Sequence, residues 1–281
     1  MNDRSGIPPL PELRLVAIAT APAGLEGPRM SYMEMGDSRD AVVLLHGIGS
    51  NSTGWRFVMP ALSTDYRVVA WNAPGYYLSD NFSADAPSHT SYSDALAAFL
   101  DALGLPSVHI VGSSFGSLVA MSFASRFPER VQRLVLLGTT RGQAWLPPEE
   151  RARRLEMRAA SIRDGGLALA ENRWANLVSP DASPTAIALV KQVLGATHRR
   201  GMTQSARTSD ATDVLTFAPR IKAPTLLAVG SEDRVNPPEI SRTIAAAIEG
   251  SKLVELPGVG HLPKLEAPQR TIELIRNHLS S

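Results

Sequence analysis

Gly112-Ser113-Ser114-Phe115-Gly116 sets a serine between two glycines, directly after the apolar run Val108-His109-Ile110-Val111. The residues that follow, Ser117 through Met121, read as the opening of a helix. A strand-to-helix turn this tight accepts only small neighbours, and it lifts the Ser114 hydroxyl above the sheet. A serine hydroxyl is a weak nucleophile at neutral pH. It needs a base within hydrogen-bond reach, and that base needs an acceptor for its other nitrogen.

The chain holds six histidines from which the base is drawn. His261 stands out, because Leu256-Pro257-Gly258-Val259-Gly260-His261 bends the chain sharply between a strand and a helix. His109 falls inside a buried strand and reads as a satisfied core residue, while His89, His198 and His278 fall on surface segments. His46 reads as a structural residue that bonds loop backbone. For the acid, Gly230-Ser231-Glu232-Asp233 follows the strand Thr225–Val229. Asp233 is preferred to Glu232 because the turn-forming Arg234-Val235-Asn236-Pro237 comes next, with Asp210 and Asp213 as further nearby acids.

A tetrahedral intermediate also needs preorganised donors, each worth roughly 3–4 kcal/mol. His46-Gly47-Ile48-Gly49-Ser50, after the strand Ala41–Leu45, supplies a loop that a carbonyl oxygen can approach closely. The backbone N–H groups of Ile48 and Phe115 form the natural pair, with His46, Gly47 and Gly49 as the supporting loop. The chain has no cysteine and no two histidines at metal-ligand spacing on a helix, so neither a metal nor a cofactor is implied.

These residues must be held by strands and helices in alternation. Strands are predicted at Leu13–Ala19, Met30–Met35, Ala41–Leu45, Tyr66–Trp71, Val108–Val111, Arg133–Leu137, Thr225–Val229 and Lys252–Leu256. The later ones are nearly all apolar, with runs such as Val-Val-Leu-Leu, Leu-Val-Leu-Leu and Leu-Leu-Ala-Val, as strands buried on both faces should be. Helices are predicted at Ser91–Leu103, Ser117–Arg126, Pro238–Glu249 and Pro268–Leu279. Between about residues 141 and 216 the rhythm breaks into helical runs only: Pro148–Arg163, Leu167–Leu177, Pro184–His198 and Asp210–Phe217. The pattern predicts an α/β core at 1–140 and 217–281, with a helical cap at 141–216 over the sheet edge where ligands bind.

In the cap, Arg151, Arg153, Arg154 and Arg158 alternate with Glu149, Glu150 and Glu156, the spacing of a solvated, ion-paired helix face. Arg173 and Arg207 are the cap arginines considered for binding a substrate carboxylate. Trp145 and Trp174 fit either core packing or the lining of an acyl pocket.

With 281 residues, 44% hydrophobic and 20% charged, the composition is that of an ordinary globular protein. A formal net charge of +1 gives no electrostatic case for nucleic acid or an anionic membrane. The N-terminal stretch has an acid and two prolines where a secretory signal would be basic and then apolar, so a cytoplasmic location is expected. Partners are then a small molecule, with room for a homo-oligomer.

His46-Gly47-x-Gly49, Gly112-x-Ser114-x-Gly116, Gly230-x-x-Asp233 and Gly260-His261, in this order, resemble the α/β-hydrolase superfamily over about residues 30–279. Within it the chain is similar to the bacterial branch of carboxylesterases, 3-oxoadipate enol-lactonases and meta-cleavage-product hydrolases. The resemblance implies an α/β-hydrolase fold, a mostly parallel central sheet flanked by helices with a helical cap insertion. It also implies a Ser114–Asp233–His261 triad acting on a small carboxylic ester or lactone. Asn72-Ala73-Pro74-Gly75-Tyr76-Tyr77-Leu78-Ser79-Asp80 matches a family loop, with Asn72 in place of an acid and Tyr77 in place of a glycine. Carbon–carbon hydrolases usually carry Asn before the nucleophile and Trp after the catalytic histidine, where this chain has Ser113 and Leu262. That tilts the expectation toward esters and lactones, with carbon–carbon cleavage, a perhydrolase and a triad-bearing ligand receptor as alternatives.

Overall fold

The structure is a computed structural model that describes residues 6–21 and 23–281. Among these residues the strands are β1 (Leu13–Ala17), β2 (Arg29–Met35), β3 (Ala41–Leu45), β4 (Arg67–Trp71), β5 (Val108–Ser113), β6 (Val131–Leu137), β7 (Thr225–Gly230) and β8 (Lys252–Leu256). The helices are α1 (Val58–Leu62), α2 (His89–Ala102), α3 (Phe115–Arg126), α4 (Pro148–Arg163), α5 (Gly165–Arg173), α6 (Pro184–Gly195), α7 (Arg199–Asp210), α8 (Pro238–Ala247), α9 (Pro263–Glu266) and α10 (Pro268–Leu279). All eight predicted strands form, with ends shifted by at most two residues.

The strands make one sheet in the order β1-β2-β4-β3-β5-β6-β7-β8. β1 and β2 run antiparallel to their neighbours, and every later pairing is parallel. The central strands are buried on both sides because their side chains feed two apolar layers. On β3, Val42 and Leu44 enter one layer while Val43 and Leu45 enter the other. Burial of each such side chain contributes roughly 1.5–3 kcal/mol. The order also creates a switch point. From β3 the chain leaves for β4 on one side, and from β5 for β6 on the other, so a crevice opens between the C-terminal ends of β3 and β5. Ser114 and the His46 loop sit at those two ends.

Several boundaries differ from expectation for local reasons. α2 starts at His89 because the Ser88 hydroxyl caps the Ser91 N–H at 3.1 Å. α3 starts at Phe115, immediately after Ser114, rather than at Ser117. The helix at Arg199–Asp210 was not expected, and the segment predicted at Asp210–Phe217 holds only a short 3-10 turn at Val214–Thr216. Glycine, serine and threonine in α7 argue against a helix by propensity. Its hydroxyls instead bond back along the helix, Ser205 to the Gly201 carbonyl at 2.9 Å and Thr208 to that of Gln204 at 3.0 Å. Met202 and Ala206 are buried in the core, so tertiary packing wins over propensity.

Asn72, in place of the family's acid, ties its loop to two neighbouring segments. Asn72 Oδ1 accepts from the Ser52 N–H at 2.8 Å, and Nδ2 donates to Ser31 Oγ at 3.0 Å. Tyr77, which stands where the family has glycine, adopts a positive φ of 52°. No helix among the described residues is long and apolar enough to cross a membrane.

Candidate active site

Ser114 ends the β5-to-α3 turn with φ 54° and ψ −119°, a conformation few non-glycine residues adopt. Such strain costs on the order of 1–3 kcal/mol and persists only where the surroundings dictate it. Here the Ser114 N–H donates to the Leu137 carbonyl at 2.9 Å, and the Ser117 N–H returns to the Ser114 carbonyl at 2.8 Å. Gly116 permits the turn, since a Cβ there would lie 2.1 Å from the Leu45 carbonyl oxygen. The hydroxyl is left half-buried at the head of α3.

His261 is placed by the turn after β8, where its N–H donates to the Leu177 carbonyl at 3.1 Å. Its Nδ1 lies 2.8 Å from Asp233 Oδ2, with both side chains almost wholly buried. Asp233 Oδ1 accepts from the N–H groups of Val235 and Asn236, each at 2.9 Å. With Asp233 an acceptor, Nδ1 donates and Nε2 keeps its lone pair. The neighbouring acids are placed elsewhere. Glu232 is exposed, Asp210 pairs with Arg158 at 2.8 Å, and Asp213 holds Arg141 at 2.8 and 2.9 Å. Ser114 and His261 line one cavity, and no hydrogen bond joins the hydroxyl to the imidazole. Such contacts often tighten only around bound substrate.

The loop after β3 runs against the nucleophile: a Cβ on Gly47 would lie 2.9 Å from Ser114 Cβ. Ile48 lines the cavity there. Phe115 opens α3, so its N–H is one of the four without an acceptor inside the helix. His46 holds the loop. Its Nδ1 donates to the Gly47 carbonyl at 2.9 Å, and its Nε2 accepts from the Ala73 N–H at 3.0 Å. Burial pushes His46 down to about 3, the Gly47 bond opposing this in part and Lys264 adding to it. It therefore serves as a neutral tie between two loops.

A pH prediction follows for stability. Unfolded His46 takes a proton near its ordinary pKa of 6.5, while the folded ring resists protonation until about 3. The stability it contributes is thus present above pH 6.5 and lost as pH falls toward 3. By pH 4.5 the loss should reach about 2–3 kcal/mol. Urea unfolding of wild type and His46→Gln at pH 7 and 4.5 measures it, and the variant should lose less. The remaining slope belongs in part to His89, His109 and His278, which burial also pushes down.

Two of those three differ from expectation. His89 is half-buried, bonded to Ser122 Oγ at 2.8 Å and stacked on Phe217, and His278 is buried with its Nε2 3.1 Å from the Pro224 carbonyl. His109 is in the core as expected, packed edge-on to Tyr66, but its Nδ1 has no hydrogen-bond partner. His198 is exposed.

The cavity at Ser114 has a volume of about 590 Å³ and is walled by sheet-edge loops together with α4, α5 and α6. Apolar side chains such as Ile162, Leu169, Val193 and Leu194 share it with Arg153, Arg154, Arg158, Arg173, Arg234 and Lys264. Among the described residues no aspartate or glutamate lines it. The α4 arginines thus depart from a purely solvated face. Arg154 does pair with Glu150 at 2.6 Å along the helix, but Arg153, Arg154 and Arg158 also border the cavity. Arg173 borders it as well, whereas Arg207 bonds the Asp85 carbonyl at 3.1 Å away from it. Trp145 donates to the Gly142 carbonyl beneath Arg141, and Trp174 packs on the core beneath Lys191, so neither lines the cavity. A second depression of similar size, bordered by Arg14, Glu34 and Arg67, lies at the other end of the sheet, where Glu34 pairs with both arginines. Lys264 was missed from sequence, although three residues after His261 on a one-turn helix is a position beside the site. Among the described residues no cluster of three metal-binding side chains occurs.

Residues 40–268 match the family model described as the alpha/beta hydrolase fold. The chain is an α/β hydrolase. A curated relative, the 2-hydroxy-6-oxononadienedioate/2-hydroxy-6-oxononatrienedioate hydrolase of Burkholderia vietnamiensis, is 30% identical over 89% of this chain and 91% of its own. Among solved structures, a thermophilic esterase from Thermogutta terrifontis is similar at TM-score 0.82 and 25% identity, over 96% of this chain and 98% of its own. The enol-lactonase of Burkholderia xenovorans LB400 shares the fold at TM-score 0.82 and 24% identity, over 94% and 100% of the two chains. This α/β hydrolase therefore resembles a 2-hydroxy-6-oxononadienedioate hydrolase in sequence, and an esterase and an enol-lactonase in structure.

Proposed function

We propose that this α/β hydrolase cleaves a small carboxylic ester or lactone through an acyl-enzyme on Ser114. The observation that carries the reading is His261, held by buried Asp233, lining the same cavity as Ser114 on its strained turn. His261 Nε2 takes the Ser114 proton as the oxygen attacks the substrate carbonyl. Asp233 keeps the imidazole in the Nδ1–H tautomer and stabilises its protonated form. The N–H groups of Ile48 and Phe115 hold the oxyanion, each worth roughly 3–4 kcal/mol of barrier. His261 then gives its proton to the leaving oxygen. In the second half it activates water, which releases the acid and frees Ser114.

A second reading is favoured by the sequence relatives, which are named as hydrolases of 2-hydroxy-6-oxo dienedioates and trienedioates. The same three residues would then promote attack on a carbonyl whose leaving group is carbon. The acid-free, cation-rich cavity suits an anionic substrate in either case.

Short-chain p-nitrophenyl esters, a lactone and a dienoic meta-cleavage product, each tested against wild type and Ser114→Ala, separate the two. Esters or lactones should be the faster substrates by kcat/KM. Faster turnover of the dienoic compound would transfer the assignment to carbon–carbon cleavage.

A further inference from the structure

Lys264 has no role in the reaction described above, yet it is 1% exposed and borders the same cavity. Its Nζ donates to Ser113 Oγ at 2.8 Å, beside the nucleophile in sequence, and lies 4.3 Å from the centre of the Trp55 ring. A buried ammonium without a counter-charge is costly, and a methionine would fill the same space without that cost. One of its three N–H donors is spent on Ser113. Burial alone pushes the amine down to about 7, with no opposing charge to restore it.

Among the described residues no carboxylate forms an ion pair with it. His46 is neutral, held near 3 by burial. His261 is bonded to Asp233. Glu266, on the same one-turn helix, spends its oxygens on the N–H groups of Ser179, Gly260 and Leu262. Nor do the arginines duplicate it. Arg154 and Arg158 already have Glu150 and Asp210, and Arg153, Arg173 and Arg234 are exposed to water, where charge is screened.

We propose that Lys264 is the specificity-determining cation of the cavity, and that it binds a carboxylate carried on the acyl part of the substrate. This role rests on the Ser114 hydrolase reading and adds a substrate class to it: half-esters and lactones bearing a free acid. As the carboxylate enters, the neutral amine takes one proton from solvent. The resulting ammonium keeps one N–H on Ser113 and turns the others to the anion, while the Trp55 face supports the charge.

The test compares the p-nitrophenyl half-ester of glutaric acid with neutral p-nitrophenyl valerate, using wild type, Lys264→Met and Lys264→Gln. The kcat/KM ratio of acidic over neutral ester should fall by at least about tenfold in both variants, as for a lost buried charge pair. A second arm needs no turnover. Glutarate is titrated calorimetrically into Ser114→Ala and Ser114→Ala/Lys264→Met at about pH 8, in two buffers of different ionisation heat. Ser114→Ala should take up close to one proton on binding, and the double variant none. Thermal unfolding of Lys264→Met should show a Tm equal to or above wild type, which separates lost recognition from lost folding. A change of less than about threefold in the ratio would overturn the proposal, as would proton uptake equal in the two backgrounds. If no ester is turned over but proton uptake depends on Lys264, it is the hydrolase reading that fails and the anion site that stands.

Discussion

Ser114→Ala should lower kcat for the best substrate by about six orders of magnitude, the size seen when a triad serine is removed. That is on the order of 8 kcal/mol of barrier. Binding should change little, because the cavity walls and the Ile48 and Phe115 amides are untouched. Folding should also survive, since the backbone at Ser114 is held by the Leu137 and Ser117 bonds rather than by its hydroxyl. Alanine is as ill suited to φ 54° as serine. Ser114→Gly should therefore be more stable than Ser114→Ala by about 1 kcal/mol in urea unfolding, a direct reading of the strain stored at the turn. Equal stability of the two variants would mean that the turn is relaxed.

Asp233→Asn should cost about four orders of magnitude in kcat, and the local bonds say why. Oδ1 of Asp233 is fixed by the N–H groups of Val235 and Asn236. In the variant the amide oxygen must stay on those two donors, so the NH2 group is forced toward His261 Nδ1. The ring then has to accept at Nδ1 and carry its proton on Nε2. A base with its proton already facing Ser114 cannot take another. Measured kcat with the fastest ester checks this. A loss of less than about tenfold would return the choice to Glu232, which is exposed and makes no bond to the ring in this structure.

Much of this site was legible in the chain because its parts are local. The Gly112–Gly116 pentapeptide, the glycines before His261 and the Gly230-to-Asp233 turn each bracket a functional side chain with small residues at a strand end. Uniformly apolar strands such as β3 are equally plain. Choosing Asp233 over Glu232 depended on the turn that follows, and the two N–H groups of that turn are the ones that fix its carboxylate.

What stayed hidden is long-range. α7 has a composition that argues against a helix, and it folds because Met202 and Ala206 reach the core and its hydroxyls cap its own carbonyls. The arginines of α4 have the spacing of a solvated face, and only the placement of that helix beside the sheet edge turns three of them to the cavity. Lys264 looks like a surface residue in Leu-Pro-Lys-Leu-Glu. Its burial is decided by Trp55 and Ser113, far away in sequence.

The central claim is covalent: Ser114 carries the acyl group between the two halves of the reaction. Intact-protein and peptide mass spectrometry of samples quenched during turnover of a slow ester tests it directly. The account predicts a single added acyl mass on the peptide holding Ser114, present in wild type and absent from Ser114→Ala. Steady turnover with no such adduct, or an adduct on another residue that survives Ser114→Ala, would contradict it.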